Sequence, residues 1–452
     1  MEAVNCLQLL KDYMLEKKLN GEIRYRAEYS HLVRAANNSI SLDTTEIGQS
    51  FSIELQDGKR FYRTLVVASC NELDKIKAAI DLASVNISIM PEIPFAKEME
   101  SITESSAVLS FYDPDTEILS KGVEFFHSTI SKFSPMGVTV SGMFSSGSYE
   151  YGIINTLSQT PLYYKGSDFE AEIVLQMVAN KKEVRATQVG ESFRDFEPNR
   201  LWLELELFLE LEKLPFAAFQ PQPMDIVFGK DAFSSILMFL LWLGLSGEIF
   251  EYEMGMLQKS IHKIGDKLFG DNITLLDSPI HPDVLFKRPF GLNGLARPSV
   301  SLIENGTLTN LVYSEKLDCD RFNKTRNNDV KALNLILLGG DGPTTFESMV
   351  ASCKNPTLYI PYLHYLNSPN HAKGEFTGTS RFGTFLIENG KATHSLNKIR
   401  IMDSIWHVFN NIEWLSSQLA KTDRSNSYDQ RLAFALTIPQ FIKVKNISTV
   451  EN

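Results

Sequence analysis

Residues 374–391 read GEFTGTSRFGTFLIENGK, and we take this glycine-rich stretch as the centre around which the second half of the chain is organised. Four glycines punctuate a run of strand-forming residues, and the tripeptide at 388–390, ENG, suits a tight hairpin because Asn and Gly tolerate a positive φ. A glycine within a strand usually marks a bulge or the close approach of another backbone. The stretch therefore predicts a hairpin with something lying against it, while the competing interpretation, which the local pattern alone favours, is an ordinary glycine-kinked hairpin in a core.

A second copy of the turn supports a repeated hairpin. Residues 302–308 read LIENGTL, and residues 386–392 read LIENGKA. The two copies are too few and too far apart for a solenoid. They predict two related hairpins within one β-rich domain.

Length and composition predict a folded, acidic protein. A chain of 452 residues is too long for one ordinary core, so two domains are expected. A hydrophobic content of 43% indicates a globular chain, and a net charge of −11 without a basic stripe argues against direct binding to nucleic acid. The four cysteines are scattered without a CxxC pair, which indicates reduced thiols.

No segment of the sequence predicts export or membrane insertion. The N-terminus has charges interleaved through it and lacks the apolar core of a signal peptide. The most apolar run, Ile236–Leu245, is about half the length of a membrane span and predicts a buried helix. We therefore expect a cytoplasmic protein that does not contact a membrane.

Hydrophobic periodicity predicts an α+β fold in two domains. Helical and alternating segments in residues 1–214 predict helices packed on antiparallel strands, including a turn at Ser145-Ser146-Gly147. Pro215–Pro223 carries three prolines and predicts the boundary to a β-rich C-terminal domain, residues 215–452. Within that domain we expect helices over Glu248–Leu268 and Ile405–Leu419.

Residue chemistry alone does not identify an active site. The sequence contains neither a P-loop nor a GxSxG elbow, and no two histidines stand three to five apart, as ligands on one helix face would. A metal held by His364, His371, Cys353 and His394 is conceivable, but solvated loop histidines explain the pattern better. The glutamates at 248, 251 and 253 are typical of a solvated helix face.

With these residues in place, three segments resemble the TldD/PmbA family, whose members are historically labelled modulators of DNA gyrase. Residues 357–391, TLYIPYLHYLNSPNHAKGEFTGTSRFGTFLIENGK, resemble the family block GLYV…TGDFS…G(F/Y)xIENGxI. Residues 289–311, PFGLNGLARPSVSLIENGTLTNL, resemble pFDxEG…xLIxxGxLxxyL. Residues 224–237, MDIVFGKDAFSSIL, resemble the xVVLxPxAxxxLL start of the C-terminal domain.

The resemblance implies a two-domain α+β fold and a heteromeric peptidase. In such a pair one subunit carries zinc on an HExxxH helix with a cysteine near the C-terminus, and the other subunit lacks both. Here residues 246–271, SGEIFEYEMGMLQKSIHKIGDKLFGD, contain no HExxxH, and the C-terminal segment RLAFALTIPQFIKVKN contains no cysteine. The chain therefore resembles the metal-free PmbA subunit, also called TldE, although Gly291-Leu292-Asn293-Gly294 replaces the acidic DxEG.

From this resemblance we expect a non-catalytic, PmbA/TldE-like subunit of a cytoplasmic zinc metallopeptidase complex that degrades or matures unfolded peptides. No cofactor is expected in this chain, and zinc is expected in a TldD-type partner. The chain would form a heterodimer with that partner or a homodimer with itself. The alternative is a free-standing enzyme or a small-molecule-binding protein that reuses the fold with different chemistry.

The glycine-rich stretch supplies the predicted peptide-binding residues. An extended peptide is held with least sequence specificity when it adds to a free sheet edge, and glycines permit the close approach that this needs. The residues that we predict to line the peptide path are Gly374, Thr377, Gly378, Thr379, Ser380, Arg381 and Gly383. The neighbouring aromatics Phe376, Phe382 and Phe385 predict an extensive subunit interface in the C-terminal domain.

Overall fold

The computed structural model describes residues 1–102, 108–279, 281–284, 287–288, 290–291, 293–328, 334–423, 431 and 435–451. The α-helices in these residues are α1 Ala3–Glu16, α2 Leu73–Asn86, α3 Ser120–Phe133, α4 Pro198–Leu211, α5 Lys230–Leu240, α6 Gly247–Glu251, α7 Lys316–Phe322, α8 Phe346–Ser352 and α9 Ile405–Asn410. A π-helical segment, Leu241–Leu245, continues α5 directly. None of the helices in the described part of the chain has the length and hydropathy needed to cross a membrane.

The first sheet is built from the first 190 residues. Its strands are β1 Gly21–Ala36, β2 Ser39–Asp57, β3 Arg60–Val67, β4 Val108–Phe111, β5 Val138–Asn155, β6 Leu162–Met177 and β7 Glu183–Gly190. Their order is β3-β2-β1-β5-β6-β4. Strand β7 pairs with the same edge of β6 as β4 does, but further along the strand. Within the described residues β7 has one free edge.

Three further sheets come from residues 216 onward. Their strands are β8 Phe216–Ala217, β9 Met224–Gly229, β10 Leu275–Asp277, β11 Val300–Glu304, β12 Thr307–Leu308, β13 Asn334–Leu337, β14 Thr357–Ile360, β15 Tyr362–Asn370, β16 Glu375–Arg381, β17 Phe385–Glu388, β18 Lys391–Leu396, β19 Arg400–Ser404, β20 Ile412–Leu415, β21 Leu419–Asp423, β22 Ala435–Pro439, β23 Phe441–Ile447 and β24 Thr449–Val450. The sheets are ordered β12-β11-β10-β13-β22-β21, β20-β23-β9-β14-β17-β18-β8 and β15-β16-β19-β24. The predicted α+β class is therefore confirmed.

Helix α4 forms a layer between the first sheet and the C-terminal strands. Its apolar side chains share one core with Val140 of β5 on one side and with Tyr359 and Phe385 on the other. The ring of Phe208 stacks on Tyr359 and on Phe385, with centroids 6.0 and 6.3 Å apart. Burial of these rings ties the two parts of the chain into one apolar cluster.

Both predicted ENG hairpins are present. β11 turns into β12 at Asn305 and Gly306, and β17 turns into β18 at Asn389 and Gly390. All four turn residues have positive φ, between 46° and 77°. The local chemistry of Asn and Gly therefore predicted both turns correctly.

The predicted turn at Ser145-Ser146-Gly147 is wrong. β5 runs without interruption from Val138 to Asn155 and pairs with β1 and β6 along its length. A Cβ at Gly147 would lie 1.9 Å from the carbonyl oxygen of Tyr29 on β1. The glycine permits close approach of the neighbouring strand instead of a turn.

Both long helices predicted for the C-terminal part are also wrong. α6 ends at Glu251, after which Glu253 adopts φ 57° and Gly255 lies against the carbonyl of Leu243. α9 ends at Asn410, and the following residues pair with β23 as β20. Tertiary pairing overrides the helical periodicity in both segments.

The aromatics that we expected at an interface lie inside the fold. Phe376 and Phe385 are fully buried, and Phe382 is 8% exposed. These side chains therefore pack within the chain, and a subunit interface in the C-terminal domain stays a prediction.

Candidate functional site

The predicted peptide-binding segment forms β16, an inner strand. β15 pairs with one edge of β16 and β19 with the other. A peptide cannot add to a strand whose two edges are already paired, so the strand-addition mechanism that we predicted for this segment is wrong. Contact with a peptide through the side chains of these residues stays a prediction.

The side chains of the segment are largely engaged inside the chain. The hydroxyl of Thr377 donates to the carbonyl of Ile401 at 2.9 Å, and the hydroxyl of Ser380 accepts from the N–H of Ile399 at 2.9 Å. Thr379 is half-buried and sits in the ladder opposite Arg400. These contacts stabilise the sheet.

The three glycines of the predicted site are explained by the backbone conformation and packing around β16. Gly374 and Gly383 adopt φ of 63° and 101°, which favours glycine. Gly378 has an ordinary strand conformation, but a Cβ there would lie 2.9 Å from Cδ1 of Leu366 on β15. Space beside Leu366 is therefore what Gly378 provides.

We expect Gly378→Val to lower the free energy of unfolding by about 1–3 kcal/mol, because the added methyl groups force Leu366 aside. Urea denaturation followed by circular dichroism measures this loss, and Gly378→Ala should lose less. A Gly378→Val chain with unchanged stability but weakened peptide processing would contradict the packing role and support a peptide path at this strand.

Arg381, the last residue of β16, connects the predicted segment to the first sheet. Its guanidinium donates to the carboxylate of Glu183 on β7 at 2.9 Å. Two residues further along β7, the guanidinium of Arg185 lies over the ring of Tyr362, 4.6 Å from its centroid, and 5.8 Å from that of Phe382. The predicted segment thus borders the beginning of β7.

A network of charged side chains continues from there, which we call the junction network: Glu172, Arg185, Thr187, Lys230 and Asp231. Arg185 donates to Glu172 at 2.6 and 2.8 Å and to Asp231 at 2.7 Å. Thr187 donates to Asp231 at 2.9 Å, and Lys230 donates to Thr187 at 2.7 Å and to Asp231 at 3.3 Å. The network joins β6 and β7 of the first sheet to the start of α5.

Two adjoining cavities lie beside this network. The outer cavity, about 300 Å³, lies between Thr187–Gly190 of β7 and the strand β21. The inner cavity, about 20 Å³, is lined by Glu204 of α4, Lys230, Tyr359 and Phe382, among others. Glu204, Lys230 and Gln440 line both cavities, so the inner cavity adjoins the outer one.

The outer cavity separates two strands with free edges. Within the described residues β7 pairs only with β6, and β21 pairs only with β22. Cα atoms of β7 and β21 approach within 8 Å, yet the two strands form no ladder. Unpaired N–H and C=O groups of two edges therefore face one polar cavity.

Two of the residues that line the inner cavity, Glu204 and Tyr359, have raised pKa values. Burial raises the pKa of its carboxyl group; Lys230 opposes this shift and Asp231 adds to it. Burial also raises the pKa of the Tyr359 hydroxyl well above its usual value, and the charges of Glu204 and Asp231 contribute. Both groups are thus shifted towards their protonated forms.

A larger cavity of about 680 Å³ lies between β1–β3 and residues 314–318. Three of its arginines pair with glutamates of the same lining: Arg24 with Glu22, Arg63 with Glu54, and Arg326 with Glu100.

The described residues do not fit a metal ion. Among them no three His, Cys, Asp or Glu side chains lie close enough together to hold one. Cys353 is fully buried and its thiol donates to the carbonyl of Met349, while the ring of His371 packs against Trp242. The conceivable cluster of His364, His371, Cys353 and His394 is therefore not assembled, and we derive no step through a metal in this chain.

Sequence reasoning missed Glu204, Tyr359 and Gln440. Glu204 lies in the helix sequence LWLELELFLE, where nothing local separates it from Glu206 or Glu210. Only the fold brings Tyr359 and Gln440 from distant parts of the chain to the same cavity.

Comparison with known proteins identifies the family. The family model for the PmbA/TldA metallopeptidase C-terminal domain matches residues 221–449, about half of the chain. No curated protein sequence matches the chain.

Three solved structures share the fold over nearly their whole length. TldE from Thermococcus kodakarensis is 17% identical with a TM-score of 0.79, and each chain is covered to 99%. A protein from Thermotoga maritima described as a modulator of DNA gyrase is 15% identical, with a TM-score of 0.78 and 99% of each chain covered. A protein of the same description from Bacteroides thetaiotaomicron is 15% identical, with a TM-score of 0.79 and coverage of 99% and 98%. On the match of its C-terminal half, the chain belongs to the TldD/PmbA family.

Proposed function

We propose that this chain is a non-catalytic, PmbA/TldE-like subunit of a zinc metallopeptidase complex, in which it holds an extended peptide for a zinc-bearing relative. The family description supplies the class of reaction, and one of the similar structures is named TldE. The chain's own contribution would be to bind and orient the peptide. Bond cleavage would occur at the partner's metal.

The observation that carries this proposal is that neither α5 with its π-helical continuation nor residues 246–271, near the start of the matched domain, carries an HExxxH motif. α5 and its π-helical continuation present Met238, Phe239 and Trp242 at or near the surface and otherwise mostly bury apolar residues. A zinc peptidase needs two histidines and a glutamate on such a helix. The sequence has no histidine between His127 and His262.

The outer cavity is a better candidate for the peptide path than β16, because both edges of β16 are already paired. A peptide between two paired edges would need them about 10 Å apart, twice the spacing of neighbouring strands. Because β7 and β21 come closer than this, the peptide would pair with one edge and meet side chains of the other. Backbone pairing of this kind suits an unfolded chain of any sequence.

Exposed apolar side chains support a partner surface in residues 242–264. Trp242, Met254, Ile261 and Ile264 are each about half exposed or more. Apolar groups concentrated in one segment are typical of a subunit interface. We propose that this surface contacts the zinc-bearing relative, or a second copy of the chain when the relative is absent.

We expect Ile261→Asp to abolish co-purification with an HExxxH-bearing relative, because the interface would have to bury a carboxylate. The matched control is Leu203→Asp, which changes a similarly exposed apolar side chain (69% for Ile261 and 66% for Leu203) in the N-terminal part, where no other large apolar side chain close in sequence is exposed. Size-exclusion chromatography with light scattering measures the assembly. A 51 kDa monomer for the unmutated chain, with or without the relative, would refute the proposed complex.

Zinc analysis of the purified complex tests whether the metal is bound by the partner and not by this chain. We expect about one zinc per pair, lost when the partner's histidines are replaced and absent from this chain purified alone. One zinc per chain in the isolated, dialysed protein would overturn the non-catalytic assignment and favour a free-standing enzyme.

We also propose that the complex works in the cytoplasm. Cys6, Cys70, Cys319 and Cys353 are all buried free thiols. Unpaired cysteines in this number fit a reducing compartment.

A further inference from the structure

Three polar groups without a hydrogen-bond partner among the described residues line the inner cavity. The carboxylate of Glu204 and the hydroxyl of Tyr359 feel only burial and distant charges, and Tyr359 is 4% exposed. The amide oxygen of Gln440 is buried and likewise unpaired within the described chain. Buried polar groups normally find partners, so the buried, unpaired oxygen of Gln440, beside two further unpaired groups that open onto the same cavity, points to a ligand.

Two of the three cations that act on the pKa of Glu204, Lys230 and Arg185, are engaged with other groups. The third, Arg200, lies one turn earlier on α4 without an ion pair to Glu204. Lys230 binds Thr187 and Asp231, and Arg185 spans Glu172 and Asp231. Neither the ammonium of Lys230 nor the guanidinium of Arg185 forms an ion pair with the Glu204 carboxylate within 4 Å. The negative charge of Glu204 is therefore available to a cation from outside the chain.

The geometry points to a primary ammonium group as the ligand: we infer that Glu204, Tyr359 and Gln440 form an ammonium-binding site. A cavity of about 20 Å³ holds one group of the size of a water molecule. An ammonium group has this size and carries three N–H donors for the three acceptors. A guanidinium is too large, and Glu204 repels phosphate or carboxylate.

The inference rests on the proposed function, since the outer cavity would hold the chain attached to the ammonium. That chain is an extended peptide, and its ammonium is either the N-terminus or a lysine side chain. Glu204 would then fix the end or the register of a peptide whose backbone pairs with a strand edge. The raised pKa of Glu204, caused first by burial, agrees with a carboxylate that lacks its counter-ion.

Calorimetric titration of the full chain with three peptides tests the inference. The first is an eight-residue peptide of Ala, Ser, Val and Gly with a free N-terminus. The second is the same peptide with an acetylated N-terminus, and the third is the acetylated peptide with one lysine. We expect acetylation to weaken binding about ten- to hundred-fold, the effect of losing a charged hydrogen bond.

Glu204→Gln should remove this difference while leaving the affinity for the acetylated peptide unchanged. The matched control is Glu206→Gln on the same helix, whose carboxylate pairs with Lys132 at the surface and should keep the full preference. Recovery of affinity by the lysine peptide, lost again in Glu204→Gln, would show that a side-chain ammonium also occupies the site.

The remaining outcomes overturn the inference in distinguishable ways. Equal binding of free and acetylated peptides, or an undiminished preference in Glu204→Gln, would overturn the ammonium site and leave the peptide-holding function standing. Failure of all three peptides to bind at millimolar concentration would overturn both.

Discussion

Replacing Arg297 by leucine is expected to lower the free energy of unfolding by about 3–5 kcal/mol, the usual loss when one partner of a buried ion pair is removed. The side chains of Arg297 and Asp277 are each 1% exposed. Arg297 donates to both carboxylate oxygens of Asp277 at 2.8 Å and also binds the side chain of Asn334. The variant would leave the Asp277 carboxylate buried without its cation.

Arg297 joins two neighbouring strands, which is why we expect so large an effect. Asp277 ends β10, Asn334 begins β13, and the backbone N–H of Asn334 also donates to Asp277 at 2.9 Å. Thermal unfolding followed by circular dichroism should show a fall of roughly 3–5 °C. The double variant Asp277→Asn/Arg297→Leu should recover part of the loss, and a single variant within 1 kcal/mol of the unmutated chain would contradict the argument.

The parts of the fold that the sequence predicted are those set by local chemistry. Asn-Gly turns require a positive φ, which few other residues adopt, so both ENG hairpins could be placed from residues 305–306 and 389–390 alone. The sequence did not predict which sheet each hairpin joins. The two ENG hairpins have nearly the same sequence, yet they lie in different sheets.

The errors arise where distant residues decide the conformation. Gly147 was interpreted as a turn residue, but it accommodates the carbonyl of Tyr29, more than one hundred residues away in the sequence. β16 was expected to offer a free edge, and β15 and β19 occupy both of its edges. A glycine reports that something comes close, but the sequence does not tell what.

The candidate site could be predicted only in its general location. Arg381 does border β7 through Glu183, so the glycine-rich segment leads to the junction network. The unpaired groups of the inner cavity could not be predicted, because the fold determines which possible hydrogen-bond and ion-pair partners lie near each side chain. Glu206 forms an ion pair with Lys132, whereas Glu204, two residues earlier, has no ion pair among the described residues.

The junction network gives the last prediction. Replacing Arg185 by methionine should lower the free energy of unfolding by about 2–4 kcal/mol, because Glu172 and Asp231 would then face each other without the shared cation. Stacking of the guanidinium on Tyr362, at 4.6 Å, would be lost as well. Asp231 would keep Lys230 and Thr187, which moderates the loss.

Arg185→Lys is the matched control, since it retains the charge but not the planar fork that reaches both carboxylates. We expect it to fall between the unmutated chain and Arg185→Met in thermal stability. A double-mutant cycle with Glu172→Gln should give a coupling energy of about 1–3 kcal/mol, as for residues in one ion-pair network. Additive losses in that cycle, or an unchanged stability of Arg185→Met, would contradict this prediction. They would mean that the junction network does not hold β7 against α5, and that another contact places the β7 edge beside the outer cavity.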